Sequence, residues 1–363
     1  MEKALMNQVS FLPYFPSATK KDKVVGRVHF FNFWEYRKLY IKDEAIRAKL
    51  ERLFAMYVNR DQSLLTDLTV AIIDDNYLLE PLTNEQLKDL ERYALALLLC
   101  SLVKNQQNGA WGSDHFTLYH QNFEVMNDAI SYESGSYIRL KQFYSTTANT
   151  RFVKPDFVTS SIFYRYDERL FEALAGAIDA RRPQDDFLFA AIQWVKYAFM
   201  NADGYSMESR VVMMATAYEI LLDLPEGEKV MEFANRLETI LGVDQMDVRE
   251  NAGKVTRGLA KIVKADKRGK TKENTVYGWW ARDFYWLRSE IVHRGAVEAL
   301  DFRNHNGIEH LQLAMKIMHF CFYRLLETSG FIQYKVCKID AEEFNVERYF
   351  TERKLREVEG MLS

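Results

Sequence analysis

After Pro183 the apolar residues recur at steps of three and four, the spacing that gathers them on one face of an α-helix. Phe187, Ala191, Trp194 and Ala198 predict a first helix, capped by Asp185 or Asp186. Val211, Met214, Tyr218 and Leu222 predict a second, capped by Ser206 and stopped by Leu224-Pro225-Glu226-Gly227. Val230, Phe233, Leu237 and Leu241 carry a third. Trp280, Phe284, Leu287 and Ile291 carry a fourth, running from about Glu273 to Arg294 and ended by Gly295. Ile308, Leu311, Met315, Met318 and Phe322 carry the last, which ends at Gly330. Amphipathic helices with short connections pack as an antiparallel bundle.

Residues 1–160 show a different pattern. Val24 to Phe31 and Leu68 to Ile73 are β-rich and predict strands. Asp43 to Val58 is apolar at helical spacing. A further helix starts at Thr83, whose Thr-x-x-Gln box with Gln86 suits an N-cap, and runs to about Val103. Asn105 to Gly112 reads as a polar turn, and Tyr132 to Thr147 as aromatic and strand-like. The fold class expected is therefore mainly α, with a mixed α+β N-terminal domain over 1–160, a helical bundle over 165–332 and a C-terminal extension helix over 333–363. The first domain holds no catalytic constellation; His29 and the pair Asp114-His115 are single polar residues near rings.

Composition changes this picture little. The chain of 363 residues is long enough for two cores, and its 48% hydrophobic and 27% charged residues are ordinary for a globular protein. A net charge of −3 means that any nucleic-acid site is local. Cys100, Cys321 and Cys337 lack paired spacing, which argues for a reducing cytoplasm without disulfides, and no metal site is expected. The most apolar run, Ala94 to Val103, is far shorter than the roughly 20 residues of a bilayer span. The opening residues hold no apolar stretch of signal-peptide length. A soluble, cytoplasmic protein without membrane contact is expected.

The chemistry concentrates on the fourth bundle helix, in Trp286-Leu287-Arg288-Ser289-Glu290-Ile291-Val292-His293-Arg294. A histidine can move protons near neutral pH, and an arginine can clamp a phosphate with its planar, permanently charged fork. RNA supplies its own nucleophile, the 2′-hydroxyl, so no metal, cofactor or covalent enzyme intermediate is needed. His293 stands at the helix's C-terminal pole, where a cation is favoured. Ser289 lies one turn before it and could orient its ring. Five steps of 100° set Arg288 and His293 about 140° apart on a straight helix. Either the helix bends near Ser289–Val292, or a second copy of the chain completes the site. Arg303 and His310 form a second, looser pair, read as a loop arginine and a first-turn histidine.

Upstream lies a basic stretch of Lys254, Arg257, Lys261, Lys264, Lys267, Arg268, Lys270 and Lys272, opposed only by Asp266. A solvated connector or helix face explains it, and so does RNA contact by Lys261, Lys264, Lys267, Arg268, Lys270 and Arg294. Glu219 lies on a predicted helix with Val211 and Tyr218, where it could pair with an arginine such as Arg288. Trp279, Trp280, Tyr285 and Trp286 could stack on bases or fill a core.

Residues 165 to 332 resemble the HEPN superfamily, most closely the ApeA-like HEPN domains of prokaryotic defence and toxin systems. The resemblance rests on the arginine-to-histidine motif at Arg288 and His293, on the run Arg210 to Leu222 with Glu219 after an apolar stretch, and on the closing helix around His310 to Gly330. It implies a HEPN-type bundle that dimerises, and metal-independent RNA cleavage leaving a 2′,3′-cyclic phosphate. In that reading Arg288 and His293 are catalytic, and Ser289 and Glu219 support them. The family commonly has asparagine, aspartate or histidine directly after the arginine, where this chain has Ser289. The expected partners are RNA, with tRNA one candidate class, a second copy of the chain, and a regulatory partner or phage trigger. A non-catalytic module binding nucleotide, RNA or protein is the alternative.

Overall fold

The computed structural model describes residues 7–15, 22–105, 112–123, 151–156, 158, 166–200, 205–227, 229–241, 262–265, 271–294, 302 and 309–332. The chain divides into two compact units, Met1–Pro183 with Phe199–Gly204, and Gln184–Ala198 with Tyr205–Ser363. The described residues are mostly helical, and no helix among them is long and apolar enough to cross a membrane.

The first unit is built on a five-stranded antiparallel sheet of β1 (Asn7–Leu12), β2 (Lys23–Val25), β3 (Val28–Asn32), β5 (Thr69–Ile73) and β6 (Tyr119–Phe123), in the order β2-β3-β5-β1-β6. Alternation along the strands sends Val9, Phe11, Phe31, Val70 and Ile72 into one core. Ile46, Leu50, Leu53 and Phe54 of α2 (Glu44–Phe54) close that core, together with Phe33 at the start of α1 (Phe33–Tyr40). The short strands β4 (Tyr57–Val58) and β7 (Phe152–Val153) pair in parallel beside it. Helices α3 (Asn84–Asn105) and α4 (Glu168–Ala180) complete the unit and pack on each other. The sequence reading placed residue 165 onward with the bundle; by its contacts α4 belongs with the sheet.

Local chemistry explains where these elements stop. The Thr83 hydroxyl accepts the Gln86 amide at 3.2 Å while the Gln86 side chain accepts the Thr83 amide at 3.0 Å, the reciprocal cap expected for α3. Asp43 caps α2 by accepting the Ile46 amide at 3.0 Å, but that helix ends at Phe54 and not near Val58. Val24 to Phe31, read as one strand, is a hairpin. Gly26 turns it with φ +55°, and a Cβ there would overlap the Tyr93 hydroxyl. Asp89, buried on α3, accepts from Arg27 at 2.9 Å and Arg181 at 2.8 Å, and so ties α3 to the hairpin and to the end of α4.

The second unit holds α5 (Asp186–Ala198), α6 (Met207–Leu221), α7 (Lys229–Ile240), α8 (Val276–Arg294) and α9 (His310–Thr328). Helix α6 packs against α5, α8 and α9, and α7 packs against α8 and α9. Tyr218, Phe233, Trp280 and Phe284 meet ring to ring at the centre, with Trp280 stacked on Phe284 at 5.2 Å. The Tyr218 hydroxyl donates to the Ala314 carbonyl at 2.6 Å, satisfying a fully buried phenol. The periodic residues expected on α6 and α8 are buried, as are those of α9 among the described residues. On α5 the buried face turns by one position to Leu188, Ala191, Ile192 and Val195, leaving Phe187 and Trp194 half-exposed.

The basic stretch enters a hairpin of β8 (Ile262–Ala265) and β9 (Thr271–Asn274), with Lys264 registered opposite Lys272. Neither a connector nor a helix face describes that part of it. Lys261, Lys267, Arg268, Lys270, Tyr132 to Thr147 and the extension 333–363 lie outside the described residues, as do the side chains of Lys264 and Arg294.

His120 makes the first unit sensitive to acid. It is buried on β6 opposite Ser10, whose hydroxyl lies 2.7 Å from its Nδ1, and burial pushes its pKa down to about 4. An unfolded histidine titrates near 6.5. As pH falls below that value the unfolded chain takes up a proton that the folded chain refuses, so stability drops progressively until about pH 4. Between pH 7.5 and 5.5 the wild type is expected to lose about 1 kcal/mol more than His120→Gln in urea denaturation. Parallel profiles would contradict this.

Candidate active site on helix α8

Helix α8 has two tasks on two faces. Trp280, Phe284, Leu287 and Ile291 fill the core, while Tyr285, Arg288, Ser289 and His293 line an open groove of about 450 Å³. Gly227, Lys229, Val230 and Met231, from the turn before α7 and its first residues, form the rest of the lining. Helix α8 is unbroken through Arg294. Within that continuous helix, Arg288 and His293 both border the groove.

The start of α8 is fixed against α7 by one carboxylate. Glu238 Oε1 accepts the Thr275 amide at 2.6 Å and the Thr275 hydroxyl at 2.7 Å, and the same hydroxyl accepts the Gly278 amide at 3.2 Å. This satisfies donors that a helix N-terminus cannot satisfy within itself. A Cβ at Gly278 would overlap that carboxylate. The position of Arg288, ten residues further along the rod, depends on this anchor.

Glu219 of α6 organises the groove's charge. Its Oε2 accepts from Lys229 Nζ at 2.7 Å, its Oε1 accepts from the Tyr285 hydroxyl at 2.6 Å, and Arg288 Nη2 stands 3.4 Å from Oε1. Burial alone would raise the Glu219 pKa. The hydrogen bonds from Lys229 and Tyr285 and the charges of Lys229 and Arg288 outweigh it and hold the carboxyl below its ordinary range. Tyr285 is pushed the other way, by burial first and by its bond to Glu219 second, so it remains a neutral donor. The Arg288 guanidinium lies 5.4 Å from the Tyr285 ring centroid, within cation–π range. Its side chain is 22% exposed, and its buried Nε has no hydrogen-bond partner. His293 is exposed at the groove's edge.

Of the residues singled out in the sequence, the structure brings together Arg288, Ser289, His293 and Glu219. Arg294 ends α8 and Lys264 lies on β8. Among the candidate stacking rings, Trp280 is core, Tyr285 serves Glu219, and Trp279 lies under the Arg282 guanidinium at 4.9 Å. Trp286 is 55% exposed, two turns before His293. In the first unit, His29 is buried between Tyr77 at 2.9 Å and Asp22 at 3.3 Å, and Asp114 and His115 are buried. Sequence reasoning missed Lys229 and Tyr285 as partners of Glu219. For Tyr285 the available signal was its three-residue step to Arg288, whereas spacing within one helix gave none for Lys229.

Comparison with protein-family models, with curated proteins and with solved structures finds no match to this chain.

Replacing a helix glycine by alanine ordinarily stabilises by up to about 1 kcal/mol. At Gly278 the sign should reverse. Displacing Glu238 breaks a hydrogen-bonded cap, and Gly278→Ala is expected to lose about 1–2 kcal/mol in chemical denaturation. A stabilised variant would show that Glu238 does not anchor α8.

Proposed function

We propose that the second unit is an RNA endonuclease of the HEPN type that works without a metal, as a homodimer. The observation that carries this reading is the groove in which Arg288, Ser289 and His293 of one helix meet, with the Arg288 guanidinium held by Glu219. In the reaction, the ribose 2′-oxygen attacks the adjacent phosphorus and the bond to the 5′-oxygen of the next nucleotide breaks. The products are a 2′,3′-cyclic phosphate and a 5′-hydroxyl. His293 exchanges the proton, and its exposure lets it reach a bound strand. Arg288 faces the non-bridging oxygens, whose charge grows in the transition state. Glu219 and Tyr285 hold that guanidinium, and Ser289 lines the groove with the two catalytic side chains.

Cleavage needs one group to accept the 2′-hydroxyl proton and another to protonate the departing 5′-oxygen. Among the described residues that line the groove, His293 is the one histidine; in this scheme a second copy of the chain supplies the other group. Substrate is RNA, with tRNA one candidate, and the basic stretch that precedes α8 in the sequence adds phosphate contacts. The first unit senses a trigger or partner in this scheme, as suits phage defence or a regulated toxin.

A non-catalytic module that binds nucleotide, RNA or protein is the second reading, since Lys229 and Arg288 beside the groove would serve binding as well as cleavage. There, Arg288→Ala should weaken ligand binding while His293→Ala changes little.

Growth and total RNA on a denaturing gel separate the two. Cells expressing the wild type, with phage infection as trigger, are expected to yield discrete RNA fragments. His293→Ala should lower cleavage at least about 100-fold while leaving the melting temperature in place, because the side chain is exposed. Equal cleavage by both chains, or intact RNA with the wild type, would remove the catalytic reading.

A further inference from the structure

Two cations share one carboxylate at Glu219, so the cluster keeps a surplus positive charge beside the groove. Lys229 and Arg288 carry it from different helices, α7 and α8, and both line the groove. Their bonds to Glu219 differ. Arg288 stands at 3.4 Å, stacked near Tyr285, with a buried Nε and 22% exposure. Lys229 is 29% exposed and has one short contact, 2.7 Å to Oε2. An ammonium on a four-carbon stem has three donors and is easily redirected, whereas a planar fork under a ring is not.

We propose that Lys229 is a second phosphate-binding cation of the groove, held on Glu219 until an RNA phosphate takes it over. This rests on the reading of the groove as the RNA site and adds a division of labour within it. Arg288 is the fixed clamp, positioned by Glu219 and Tyr285, and Lys229 is the cation that moves. When Lys229 turns to a phosphate, Glu219 keeps its hydrogen bond from Tyr285 on Oε1 and its pairing with Arg288, so the carboxylate is never left bare. A phosphodiester carries one negative charge, which matches the one that Lys229 brings. The competing role for Lys229 is a tie between α6 and α7 that never touches RNA.

The two roles separate by salt dependence. A cation that neutralises one phosphate of a single strand contributes about 0.7 to the slope of log affinity against log salt, whereas a structural tie contributes nothing. The probe is a fluorescein-labelled, unstructured RNA oligonucleotide with 2′-O-methyl groups, which blocks cleavage, bound to the full chain and followed by anisotropy between about 50 and 200 mM salt. Lys229→Gln retains a donor for Glu219 but no charge; it should reduce the slope by about 0.7 and weaken binding severalfold at low salt. Lys229→Arg should restore the slope. If the wild type binds the probe and Lys229→Gln keeps the wild-type slope, Lys229 is a tie and the proposal falls while the RNA site stands. If both variants lose the slope equally, charge at this position does not matter and the proposal also falls. A wild type that binds no RNA would overturn the reading of the groove itself, and Lys229 with it.

Discussion

Glu219 stands on α6 with its carboxylate largely out of water, where an ionised group is stable only with donors aimed at it. Lys229 supplies one from α7 and Tyr285 another from α8, and the Arg288 guanidinium of α8 adds its charge at 3.4 Å. This single charge therefore joins three helices and sets the direction of the guanidinium that borders the groove. Had burial prevailed, the carboxyl would be neutral and Arg288 would have lost its partner. The donors prevail, and the carboxylate stays ionised.

The rest of the second unit serves to present that arrangement. Tyr218, directly before Glu219, anchors α6 through its fully buried ring and its bond to α9, so the glutamate's neighbour is held by both packing and a hydrogen bond. Glu238 fixes the start of α8, and the packed residues Trp280, Phe284, Leu287 and Ile291 carry that constraint along the rod to Arg288. A site on a rigid helix with locked supports is positioned more finely than one on a loop. His293 lies at the far end of the same helix on the exposed side, open to solvent.

Periodicity made the second unit legible because its helices bury one stripe each, and Val211, Met214, Tyr218, Trp280 and Phe284 lie where three-and-four spacing puts them. It misplaced the stripe of α5, where Leu188, Ile192 and Val195 offer an equally apolar face and packing chose between the two. The hairpin at Gly26 was hidden in a run of β-formers, because one glycine in a strand pattern also suits a bulge. The pairing of Arg288 with Glu219 could be read from charge and helix position, since a sheltered carboxylate needs a cation. Lys229 could not, because its role depends on how α7 sits beside α6, and spacing within one helix carries no such information. The β8–β9 hairpin was masked for a similar reason: alternating lysines fit a solvated helix face as well as a ribbon.

The chemistry of the cleaved ends tests the central claim most directly. RNA digested by the purified wild type with a chelator present should carry 2′,3′-cyclic phosphate on one side of the cut and a 5′-hydroxyl on the other, as attack by the 2′-oxygen requires. Ends bearing a 3′-hydroxyl and a 5′-phosphate, or cleavage that appears only with added metal, would mean that water and not the ribose is the nucleophile, and would contradict the roles given to Arg288 and His293.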